Sequence, residues 1–134
     1  MVKQSINSVK VFCMGEMVPL EKLVPHPRND RVHPDRQIEL LADIMRAQGI
    51  RYSIVVSKRS GFIVSGHGRL EAARMLGLKE YPCDWQDFPD EAAEVAQLTA
   101  DNRLMLLAEF NEEQTQLNLK DLGIDFALAC RKLP

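Results

Sequence analysis

Apolar residues recur along this chain in two rhythms, one of three to four residues and one of two, and the switches between them mark out its elements. From Gln37 to Ala47 the apolar positions Ile38, Leu41, Ala42 and Met45 keep helical spacing, and Gly49 stands where a C-terminal cap belongs. That pattern predicts a helix with one buried face. "SIVVS" (53–57) and "FIVS" (62–65) are β-branched runs joined across Ser60-Gly61, which predicts a hairpin. A short helix then runs to Leu76 and stops at Gly77, and "YPCDW" (81–85) reads as a further strand. Pro89, flanked by acidic residues, opens a helical region to about residue 109. Asn111 with Gln114 three residues on forms a capping box for a last helix to about Leu122. Pro19, Pro25, Pro27 and Pro34 exclude a long helix before the first one and leave a short extended segment followed by a loop.

The order is that of an α+β protein, a small mixed β-sheet with helices followed by a short helical tail. We divide the chain into an N-terminal arm at 1–16, a loose segment or a first strand, an α+β core at 17–86 and a C-terminal helical segment at 87–134. A length of 134 residues suffices for a hydrophobic core without metal or disulfide support. Cys13, Cys83 and Cys130 are far apart in sequence and odd in number, as expected of reduced structural thiols. No long apolar run and no signal pattern occur, which places the expected location in the cytoplasm. The net charge of −2 hides a split. Residues 22–79 carry 11 Lys/Arg against 5 Asp/Glu, and residues 80–134 carry 4 against 12. Such a split suits either an anion-binding body with an acidic tail or two solvated faces that partly pair.

Chemistry concentrates where the second strand of the hairpin hands over to a helix, in "IVSGHGRLEAAR" (63–74). Gly66 and Gly68 free the backbone there, and the amides at a helix start suit an anion such as phosphate. Ser65, Gly66, His67, Gly68 and Arg69 are therefore the candidate phosphate or nucleotide contacts, with Arg69 offering a two-pronged guanidinium. A tight turn without a ligand is the alternative. Upstream, "HPRNDRVHPDRQ" (26–37) gathers Arg28, Asn29, Arg31, His33, Arg36 and Gln37 in a segment too polar for the core. These six are candidate contacts to nucleic acid or nucleotide, or a plain surface loop. Asp101 and Asn102 interrupt an apolar helical stretch; Asp101 suits a nucleotide-bound Mg2+ ion and Asn102 a phosphate or ribose. His26, His33 and His67 do not fall at metal-ligand spacing.

Taken in order, "NDRVHPDRQIELLADIMRAQGI", "IVSGHGRLEAARMLGL" and "ADNRLMLLAEFNEE" resemble the three signature stretches of the ParB/sulfiredoxin-like superfamily. The nearest type is the ParB-like N-terminal (nuclease) domain of phages and mobile elements, often found beside DNA methyltransferases, and the likeness covers about residues 17–122. It implies that Gly66-His67-Gly68-Arg69 holds the triphosphate of CTP or ATP, and that Asp101-Asn102 serves phosphates and Mg2+. Chromosome-partitioning ParB has glutamate and arginine where this chain has His67 and Gly68, and a Gln-Pro pair near Arg51-Tyr52-Ser53. Sulfiredoxin requires a cysteine in the turn, which excludes a reductase reading. Too few residues follow for a full helix-turn-helix module. The expected function is a nucleotide-binding, DNA-associated regulatory module, with transcriptional regulation as its setting. The alternatives are a DNA nuclease or nucleotide-hydrolysing enzyme of the same superfamily, and a protein-interaction partner of a DNA-modifying enzyme. Expected partners are DNA, contacted through its backbone without sequence preference, or a DNA-associated protein, together with a second copy of the chain. No membrane partner is expected, and no catalytic residue is assigned.

Overall fold

A computed structural model describes residues 4–6 and 9–123. Its elements run β1 (Gln4–Ile6), β2 (Val9–Val11), β3 (Glu16–Pro19), β4 (Val24–Pro25), α1 (Asp35–Gln48), β5 (Ile54–Ser57), β6 (Phe62–Ser65), α2 (His67–Met75), β7 (Glu80–Gln86), α3 (Glu91–Leu104) and α4 (Glu112–Asp121). Short 3-10 turns occupy Leu20–Lys22 and Met105–Leu107. The fold class is the expected α+β one: a five-stranded mixed sheet and, among the described residues, four α-helices. Compact packing divides the chain into a unit up to Asn102 and a second from Arg103.

In the first unit the strands lie in the order β3-β7-β5-β6-β4. β3 runs antiparallel to β7, β7 parallel to β5, β5 antiparallel to β6 and β6 parallel to β4. The β5–β6 hairpin forms as its β-branched runs require, and Gly61 turns it with a positive φ of 77°. β1 and β2 form their own two-stranded sheet, and Val9 and Val11 enter the main core.

Helix α1 has the predicted apolar stripe with one change. Leu40 is buried beside Ile38, Ala42 and Met45, whereas Leu41 is only partly covered. Ala72 and Ala73 of α2 are fully buried in the core, and α2 packs against α1. Cys13 and Cys83, distant in sequence, lie near enough for their charges to interact; both are free, and burial pushes the Cys83 thiol up to about 12. Cys130 lies outside the described residues. No helix among the described residues is long and apolar enough to cross a membrane.

In the second unit, α4 is capped as expected: the Asn111 side chain accepts from the Gln114 N–H at 3.0 Å, and the Thr115 hydroxyl donates to the Asn111 carbonyl at 3.1 Å. The preceding helix is shorter than its prediction. It ends at Leu104, and the apolar run Met105–Leu107 continues as a single 3-10 turn.

Candidate functional site

The site starts where β6 ends. Gly66 takes φ +108°, a conformation that L side chains rarely adopt, and a Cβ there would stand 2.9 Å from Ile54 Cγ1. Glycine is therefore required at this position twice over, by backbone and by space. The chain then enters α2, whose N-terminus has no side-chain cap and no acidic residue in its first turn. Its first intrahelical bond runs from the Leu70 N–H to the Gly66 carbonyl at 3.1 Å. The backbone N–H groups ahead of Leu70 thus have no acceptor in the helix, and the positive end of the helix dipole stands uncompensated.

Gly68 is a different case. Its backbone is helical, so it does not free the chain as its residue type suggests. The reason for glycine here is His33, whose ring would lie 3.1–3.4 Å from an added Cβ. The His33 ring nitrogen Nδ1 is in turn 2.9 Å from Gln37 Oε1. Two candidates from the 26–37 loop, His33 and Gln37, are thereby brought to the Ser65–Arg69 turn.

His67 is the first residue of α2, and its Nε2 accepts the backbone N–H of His26 at 3.0 Å. Burial, followed by the charges of His26 and His33, lowers its pKa to about 4. At neutral pH it is an uncharged donor. Arg69 is half-buried and already engaged: Nη1 donates to the Ser53 carbonyl at 2.8 Å, and the guanidinium lies 5.3 Å from the centre of the Tyr52 ring. It ties the helix start to the segment leading into β5.

The remaining candidates divide. Arg28 Nε donates to Glu91 Oε1 at 3.0 Å, and Asn29 Oδ1 accepts from the Arg31 N–H at 3.4 Å. The side chains of Arg31 and Arg36 are exposed and make no hydrogen bond or ion pair with a described residue. Asn102 donates to Asp30 Oδ1 at 3.4 Å and so joins the same loop. Asp101 turns along α3, where Oδ1 accepts from Gln97 at 2.9 Å, and among the described residues it makes no hydrogen bond with the turn. The three histidines converge on the turn, yet among the described residues no group of three or more His, Cys, Asp or Glu is arranged to hold a metal ion.

Behind the turn lies a buried network that sequence reasoning missed. Glu94 of α3 is fully buried, and its carboxylate accepts from Ser57 Oγ at 2.5 Å, Ser60 Oγ at 2.8 Å, His26 Nε2 at 3.2 Å and Arg59 Nη1 at 3.4 Å. Burial alone would raise its pKa, but the bonds from Ser57, Ser60 and His26 and the charge of Arg59 outweigh it and hold the group below the ordinary carboxylate value. The only local sign was a carboxylate four residues before Leu98, on the face that α3 buries. Glu91, Glu94, Leu98 and Asn102 follow one another at helical spacing along that face.

Comparison with known proteins gives this arrangement a context. The sequence profile of the ParB N-terminal domain matches residues 2–102. A ParB-like nuclease domain-containing protein of Escherichia coli K12 is 33% identical over 64 residues, which cover 48% of this chain and 72% of that protein. The nucleoid occlusion protein of Halalkalibacterium halodurans is 35% identical over 83 residues, 59% of this chain but 29% of its relative. Among solved structures, the C-terminally truncated chromosome-partitioning protein ParB of Caulobacter crescentus, complexed with CTP-gamma-S, superposes with a TM-score of 0.69 at 26% identity. That match covers 84% of this chain and 64% of the other.

Proposed function

Because the chain belongs to the ParB N-terminal domain family, we propose that its Ser65–Arg69 turn binds the phosphates of a nucleoside triphosphate, CTP first, in a DNA-associated regulatory module. The observation that carries this reading is the uncapped N-terminus of α2, held open by a left-handed Gly66 and free of acidic residues in its first turn. An anion placed there meets unpaired N–H groups, the helix dipole and the neutral donor His67. The Caulobacter relative bound to CTP-gamma-S supports the choice of nucleotide.

Asp101 fits a subsidiary role with Mg2+. It is only partly covered, and of its two oxygens only Oδ1 has a partner among the described residues. One carboxylate together with substrate phosphates is how Mg2+ is usually held. Arg31 and Arg36, exposed and without protein partners among the described residues, are the cations we assign to DNA phosphates. We read the site as binding rather than cutting, since His67 replaces the glutamate that partitioning ParB carries in this turn. We read the module as one of a phage or mobile element, acting in transcriptional regulation with DNA or a DNA-associated protein as partner and a second copy of the chain beside it.

The test is a thermal-shift series with CTP, ATP, GTP and UTP, each with Mg2+. A ligand at 100 times its dissociation constant adds about 2.7 kcal/mol to stability, and CTP is expected to give the largest rise. Equal melting curves with and without all four nucleotides, confirmed by calorimetric titration, would refute the reading.

A further inference from the structure

Among the described residues, one histidine links the buried network by hydrogen bonds to the helix start. The His26 ring is held at both nitrogens. Its Nδ1 accepts the backbone N–H of Arg28 at 3.1 Å, so the ring proton sits on Nε2 and is donated to Glu94. Phe62 of β6 meets the same ring edge-on at 5.4 Å. Residue 26 is thereby immobilised, and its own backbone N–H points at His67 Nε2. A backbone N–H can only donate, so His67 Nε2 must be the bare nitrogen and Nδ1 must carry the proton. That Nδ1 has no hydrogen-bond partner among the described residues and is not sealed from solvent.

The geometry points to Glu94 as a positioning residue: acting through His26, it fixes His67 as the Nδ1–H tautomer and so presents a neutral hydrogen-bond donor to a ligand oxygen at the start of α2. The ligand half of this statement rests on the phosphate reading above. The alternative is that Glu94 merely fastens α3 to the β5–β6 hairpin. The two differ in what they demand of His67. Fastening needs nothing of its tautomer, whereas positioning forbids a proton on Nε2 for as long as the His26 N–H occupies it. Burial, followed by the charges of His26 and His33, keeps the His67 ring neutral at neutral pH, so the tautomer is set by the bond from the His26 N–H.

The measurement is nitrogen-detected NMR of the full chain, in which the chemical shifts of Nδ1 and Nε2 separate the two tautomers and the imidazolium. The parent protein is expected to hold the Nδ1–H form and to titrate near 4. Glu94→Gln removes the buried charge and leaves the side chain's shape. In that variant the two tautomers should mix, as read from the Nδ1 and Nε2 shifts at a pH where the ring is neutral. Affinity for CTP with Mg2+ should fall by about tenfold, the worth of one hydrogen bond. Should Glu94→Gln not fold, Ser60→Ala, which removes a single partly buried hydroxyl from the carboxylate, should mix the His67 tautomers to a lesser extent. A folded variant whose His67 keeps the parental tautomer overturns the proposal. A parent chain that binds no nucleotide overturns the triphosphate reading, while the tautomer measurement, which needs no ligand, decides the role of Glu94 separately.

Discussion

Gly66 and Gly68 stand two residues apart in one turn, yet replacing each by alanine should have different outcomes. At Gly66 the backbone has φ +108°, and holding an L residue at such an angle costs about 1–2 kcal/mol. The new Cβ would also lie 2.9 Å from Ile54 Cγ1 and 3.3 Å from the Ile54 Cα, inside a core where Ile54 is fully buried. Overpacking of that kind adds about 1–3 kcal/mol. Gly66→Ala is therefore expected to destabilise the protein by about 2–5 kcal/mol, and at about 3–5 °C per kcal/mol for a chain of 134 residues the melting temperature should drop by at least about 6 °C. At Gly68 the backbone is already helical, and alanine gains up to about 1 kcal/mol of helix propensity over glycine. Its Cβ meets only the His33 side chain, at 3.1–3.4 Å, which must shift by a few tenths of an ångström. Gly68→Ala should stay within about 1 kcal/mol of the parent. Urea unfolding of both variants under one set of conditions gives the comparison. A loss below about 0.5 kcal/mol for Gly66→Ala, or a loss for Gly68→Ala as large as that at Gly66, would refute the division of roles.

Arg69→Ala should lower stability by about 0.5–1.5 kcal/mol through loss of the bond to the Ser53 carbonyl, and calorimetry should show weaker nucleotide binding; unchanged affinity would remove Arg69 from the site. His67 has a lower pKa in the folded protein than in the unfolded chain, so the unfolded state takes up the proton first. The stability it contributes is complete above about 6.5 and is lost as pH falls toward 4, and His67→Gln should flatten the pH dependence of chemical unfolding in that window. Glu94, whose folded pKa is lowered, acts in a more acidic window: its contribution is present above 4.5 and is lost as pH falls through its folded value. DNA binding through Arg31 and Arg36 should weaken with salt by about 0.9 log unit per log unit for each phosphate neutralised, and Arg31→Ala should reduce that slope by about one contact's share; an unchanged slope would place DNA elsewhere.

Local signals were legible in the sequence and distant ones were not. The stripe Ile38, Ala42 and Met45, the Ser60-Gly61 hairpin and the Asn111-Gln114 cap each depend on residues a few positions apart, and each appears in the structure. Leu41 packs against the core only partly covered, while Leu40, off the predicted stripe, is buried as well, because the full extent of the face that α1 buries depends on its neighbours, which helical spacing alone does not specify. Gly68 looked like a backbone device because its reason for being small, the ring of His33, is 35 positions away. Glu94 was invisible for the same cause. Its partners stand 34 to 68 positions off, and beyond its spacing from Leu98 nothing in a helix that also carries Glu91 and Asp101 tells which carboxylate turns inward.

The alternating loop residues His26, Arg28 and Asp30 meet Glu94, Glu91 and Asn102 on one face of α3. For the history of this chain, that makes two stretches some sixty to seventy residues apart into a single inherited unit. Neither His26 nor Glu94 can be exchanged alone without stranding a buried polar partner, at about 1–3 kcal/mol or more where the stranded group is charged. Substitution there must proceed in pairs. The exposed couple Arg28–Glu91, by contrast, can drift freely, because an ion pair in water contributes little. Descendants of this sequence should therefore change in step at 26 and 94 and independently at 28 and 91.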